Sequence, residues 1–133
     1  MNKISKTIMP ILTALLLIAS VMLSSLSAFP GKAYAYSGGK GTEAEPFIIT
    51  TANDLKNIKS NLYGYYKLGK DIDIKYDIWT PIGSFDYPFK GGFDGDGHTI
   101  SGLTISRPQY NDAGFFGFVS TDGYIRNLKF DRC

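Results

Sequence analysis

The chain has 133 residues, with 14 Lys and Arg against 12 Asp and Glu, one His and one Cys. A single Cys excludes an internal disulfide framework. The near-balanced charge gives no electrostatic footprint for nucleic acid or an anionic membrane.

Lys3 and Lys6 precede an apolar run from Ile11 to Leu23, a Ser-rich stretch and then Ala33-Tyr34-Ala35. Small residues at that spacing mark a secretory signal peptide over 1–35, cut after Ala35 with Ala33 and Ala35 as the cleavage residues. The run is shorter than the ~20 residues that span a bilayer, so no membrane association is expected after cleavage. Removing Lys3, Lys6 and Lys32 turns the balance slightly acidic and leaves room for one small domain. Residues 36–45 are small, polar and Gly-rich, and read as a flexible leader. The remainder, 46–133, is expected to be the N-terminal part of one domain, truncated at its end. Cys133, unpaired and last, reads as a cut-off end.

Phe47-Ile48-Ile49 is a short strand. Thr51 with Asp54 three residues on resembles a capping box and starts a helix. Its apolar stripe, Leu55, Ile58 and Leu62, continues for about three turns and is structural packing. Tyr63 to Leu68 and the alternating Ile72 and Ile74 read as strands joined by Gly69-Lys70-Asp71. Trp79 to Phe85 contains Pro and Gly and reads as a loop over a core edge. Trp79 is core with Ile78 and Ile82, or a sugar platform if exposed.

The stretch Phe89 to Ile105 organises the rest. Asp94-Gly95-Asp96-Gly97 forms a turn between two strands, since Asp caps its own backbone and Gly accepts positive φ. Ile100, Leu103 and Ile105 change inward parity once, at Ser101-Gly102, so the strand bends at the glycine. Arg107 to Ala113 is a loop, and Gly114 to Val119 a continuous apolar strand. The apolar set returns as Ile125, Leu128 and Phe130, with Asn127 at the place of Gly102. An internal repeat of this length points to stacked coils. The spacing places Ile100 on Ile125, Leu103 on Leu128 and Ile105 on Phe130.

No catalytic residue emerges. A metallopeptidase needs a His-Glu-x-x-His helix, and His98, the only His, reads as a turn residue. Asp94 and Asp96 are spaced like the opening of a calcium loop, but His98 stands at the next alternate position and no Glu closes twelve residues. They remain weak calcium candidates beside their turn-forming role; no other cofactor is expected. Asp71, Asp73 and Asp77 read as a solvated strand face. Lys90, Arg107 and Arg126 could serve a glycan lyase in principle, yet about two coils line no long groove. His98 lacks an evident triad partner.

Taken in order, Gly41-Thr42-Glu43-Ala44-Glu45-Pro46-Phe47-Ile48-Ile49, Asp54-Leu55, Tyr66-Lys67-Leu68, Asp71-Ile72-Asp73, Trp79-Thr80-Pro81-Ile82-Gly83, Phe93 to Ile100 and Gly114-Phe115-Phe116-Gly117 resemble the opening of bacterial secreted and surface proteins with GLUG repeats. The resemblance implies an all-β fold, the start of a right-handed parallel β-helix with a short N-terminal capping helix. It also implies a secreted or cell-surface, non-catalytic module with an adhesion, binding or structural role. The alternative is the non-catalytic N-terminal region of a larger extracellular peptidase or polysaccharide-active enzyme. Expected partners are an extracellular protein or glycan and downstream repeats of the same chain, with no nucleic acid.

Overall fold

The structure, a computed structural model, describes residues 35–105 and 112–133. The signal-peptide reading, with Ala33, and Arg107 lie outside them. Strands dominate: β1 (Phe47–Ile49), β2 (Tyr65–Leu68), β3 (Ile72–Asp73), β4 (Ile78–Trp79), β5 (Gly92–Asp94), β6 (Thr99–Ser101), β7 (Thr104–Ile105), β8 (Tyr124–Arg126) and β9 (Lys129–Asp131). They form three sheets, ordered β1-β2-β5-β8, β3-β6-β9 and β4-β7, and every pairing is parallel. The chain passes from the first sheet to the second and third, then returns to the first one strand further on.

Among the described residues, helix is confined to α1 (Ala52–Asn57) and a 3-10 turn over Ile58–Ser60. The Thr51 hydroxyl accepts from the Asp54 amide at 3.1 Å, while Asp54 Oδ2 accepts from the Thr51 and Thr50 amides at 3.0 and 2.9 Å. This capping box satisfies amides that lack helical partners. The helix is shorter than its apolar stripe because the chain tightens at Ile58, yet Leu55 and Ile58 are buried and Leu62 packs beside them. The segment expected to be a flexible leader is hydrogen-bonded to its neighbours. Ser37 donates to Ile48, Ile48 to Gly38, and Tyr65 to Gly41. Composition identified too little apolar surface for order, but the Tyr36 ring lies 4.5 Å from Phe47, centroid to centroid.

Side chains facing inward stack in columns set by the register. One runs Phe47, Tyr66, Phe93, Ile125, and another Ile72, Ile100, Phe130. The register corrects the expected repeat: Ile100 lies on Phe130 rather than Ile125, and Ile105 pairs with Trp79. Residues beyond Ser101 correspond to those beyond Asp131, so Gly102 (φ +73°) faces Arg132 (φ +52°) rather than Asn127. The bend at Gly102 is present as expected. A Cβ there would come within 2.7 Å of Lys75 Cα.

Two further expectations change. Trp79 lies on a paired strand rather than in a loop, because Ile78 and Trp79 bond to Thr104 and Ile105. Trp79 is only 2% exposed, donates from Nε1 to the Phe115 carbonyl at 2.9 Å and stacks on the Phe115 ring, whereas Ile78 is 72% exposed. Gly114 to Val119 forms no continuous strand. Its backbone pairs with the stack at two isolated bridges, Phe116 to Ile82 and Val119 to Phe89, while the Phe115 ring enters the core. Between them Gly117 meets the backbone of Gly83 so closely that a Cβ would lie 2.5 Å from its carbonyl oxygen.

Candidate functional site

The polar side chains singled out in the sequence lie on the outward faces of the sheets, where period-two alternation must put them once Tyr66, Leu68, Phe93 and Ile100 turn inward. Asp94 ends β5 and opens the expected turn. Its Oδ1 accepts from the Asp96 amide at 2.9 Å, and Asp96 and Gly97 take φ of +49° and +78°. The same carboxylate reaches the next strand, accepting from Arg126 Nε at 2.8 Å and Asn127 Nδ2 at 3.1 Å. Asp96 is drawn instead to Lys67, 3.2 Å away. The two calcium candidates therefore serve different cations of the chain, and the guanidinium on Asp94 opposes entry of a metal ion. Among the described residues no three His, Cys, Asp or Glu side chains converge to hold a metal.

Burial of the Asp94 carboxyl works to raise its pKa. The Asp96 amide, Asn127 and Arg126 outweigh that and hold it below the ordinary value. A depressed native pKa means that ionised Asp94 stabilises the fold above the unfolded value and that this is lost as pH falls through the native one. Asp94→Asn should accordingly flatten the loss of stability below about pH 4. Urea midpoints at pH 3 and pH 7 measure it, and an acid limb unchanged in the variant would remove Asp94 as its cause.

Asp71, Asp73 and Asp77 form no common site. Asp71 Oδ1 accepts from the Thr99 amide at 2.9 Å and faces His98 Nδ1 at 3.3 Å, and Thr99 is the larger cause of its lowered pKa. Asp73 holds the Lys75 amide, and Asp77 pairs with Lys56. His98 is thus a surface residue tied to the preceding pass of the chain. Lys90 lies over the Tyr63 ring at 5.4 Å, far in function from the Asp94-bound Arg126. Cys133 is exposed.

The outward face of the β1-β2-β5-β8 sheet carries a feature absent from the sequence reading. Tyr65, Gly92 and Tyr124 stand side by side on three adjacent strands, and the two rings are 6.2 Å apart. A Cβ on Gly92 would lie 2.4 Å from Tyr124 Cζ, so the missing side chain is what lets that ring lie across the sheet toward Tyr65. The Arg126 guanidinium lies over the Tyr124 ring, 5.0 Å from its centroid. The signal was present as Gly64-Tyr65, Gly91-Gly92 and Gly123-Tyr124, each just ahead of an inward residue.

No family model and no solved structure matches the chain. It is similar to a putative Gly-rich membrane protein of Evansella cellulosilytica, 37% identical over 102 residues, a match covering 71% of this chain and 12% of that protein. It is also similar to halomucin of Haloquadratum walsbyi, 35% identical over 108 residues, covering 68% of this chain and 1% of halomucin. The chain therefore spans a small fraction of the length of these relatives. No helix among the described residues is long and apolar enough to cross a membrane.

Proposed function

We propose that the chain is a secreted or cell-surface, non-catalytic module with a binding or adhesion role, built as the start of a right-handed parallel β-helix of the kind found with GLUG repeats. The observation that carries this reading is the in-register stacking of successive passes, which spends charged outward groups on clasps between passes. Asp94 holds Arg126 and Asn127, and Asp71 holds Thr99. Such a surface is rigid and regular, as a recognition scaffold must be. Support for the location comes from the names of the two relatives, a membrane protein and a halomucin.

Partners would be an extracellular protein or glycan. The experiment is protease shaving of intact cells that make the full chain, followed by mass spectrometry. Peptides from the exposed loop around Tyr87 should be released while a cytosolic marker stays intact. Their release only after lysis would end the surface reading.

A further inference from the structure

We infer that the outward face of the β1-β2-β5-β8 sheet binds a polysaccharide chain, with Tyr65 and Tyr124 as the floor on which sugar rings lie. The inference rests on the surface-module reading only for access to such a polymer. Three features of the face point to it. The two rings approach to 6.2 Å, inclined at 54°, across the strand that lies between theirs, because Gly92 leaves the space that Tyr124 occupies. A sugar ring presents C–H groups on its face and hydroxyls around its edge, so its partner needs an aromatic floor rimmed by fixed polar groups. That rim is present one residue pair further along the same strands, where Lys67 is paired with Asp96 and Arg126 with Asp94. These pairs keep side chains in place without leaving a strong net charge.

Other occupants fit less well. A lipid surface would have to desolvate both ion pairs beside the rings, which is costly. A peptide adding as a strand would pair at the outer edge of β8 and leave the Tyr65 ring, two strands further in, uncovered. Tyr65 stands on a strand paired on both sides, and Tyr124 is held by its contacts with Gly92 and Arg126, so little ordering has to be offset on binding.

The test is native affinity electrophoresis of the full chain in gels cast with soluble β-glucan, xylan, mannan or pectin. At least one polymer should retard the protein. Tyr124→Ala and Tyr65→Ala should each weaken that retardation about tenfold, as expected for loss of one stacking ring. Tyr124→Phe, which keeps the ring, should bind like the parent. Tyr76→Ala removes a tyrosine that is 90% exposed but lies off this sheet, and should change nothing. Nitration with tetranitromethane and peptide mapping requires no variant: the polymer should protect Tyr65 and Tyr124 and leave Tyr76 reactive. Retardation in none of the gels, or full binding by folded alanine variants, or protection of Tyr76 in place of the pair, would overturn the inference. Electrophoresis uses purified protein, so its failure is distinct from failure of the shaving experiment.

Discussion

Phe93→Ala should cost about 3–5 kcal/mol, the range for emptying a phenylalanine site in a packed core. Phe93 is fully buried between Tyr66 and Ile125 in its column, and its ring meets those of Phe115 and Phe116 at 6.2 and 5.4 Å between centroids. Three rings and an isoleucine cannot close over the hole, because each is anchored to its own part of the backbone. A domain of this size has only about 5–15 kcal/mol in hand, so the variant should be near its unfolding limit at room temperature. Phe130→Ala is the comparison, since that side chain is 44% exposed and should lose about 1–2 kcal/mol. Urea titration followed by circular dichroism measures both. Equal losses would show that the columns do not carry the stability assigned to them.

Gly91→Ala should be as damaging without emptying any space. Its φ is not among the positive ones, so conformational freedom is not the reason for glycine there. The reason is room: an alanine Cβ would stand 1.8 Å from the Gly64 carbonyl oxygen of the neighbouring pass. Backbone cannot swing aside as a side chain can, so the two passes must separate and strain their ladder. The expected cost is about 3 kcal/mol or more, at the upper end for overpacking. Gly97→Ala separates the two explanations. Gly97 has φ +78° and nothing within 4 Å of its would-be Cβ, so alanine there meets only local strain of about 1–2 kcal/mol. Thermal unfolding of both variants decides it, and a larger loss at Gly97 would reverse the assignment.

Local chemistry was legible in the sequence, while partnership between passes was not. The Thr51–Asp54 capping box, the Asp94 turn and the Gly102 bend each depend on residues within a few positions of one another, and each appears where the pattern puts it. Burial of Trp79 was legible from its apolar surroundings, although Ile78, on the alternate face of the same strand, points out. The register was hidden because successive passes differ in length: Ile125 is further from Phe93 along the chain than Phe93 is from Tyr66. A fixed repeat cannot find pairs when the period drifts. The hold of Asp94 on Arg126 and Asn127 was hidden for the same reason, since it spans two passes. The Tyr65–Gly92–Tyr124 row was hidden by its own glycine, which reads as an interruption unless its neighbours in space are known.

The drift in period also tells where the chain tolerates a change of length. Trp79 pairs with Ile105, and shortly afterward Ile82 pairs with Phe116, so the second pass takes a longer route between those points than the first. The imbalance then reverses. Ile82 to Phe89 is spanned by an excursion closed by the Ser84–Tyr87 hydrogen bond, while Phe116 to Val119 goes directly. Lengthening the excursion between Ile82 and Phe89 should cost little entropy and break no ladder. Between Gly91 and Ser101 the chain has no such freedom. One residue gained or lost there would shift the turn at Asp94 against Asn127, or turn Ile100 out to solvent. A change of length should therefore be tolerated at one corner of the stack and not in the corridor from the glycine corner to the second sheet.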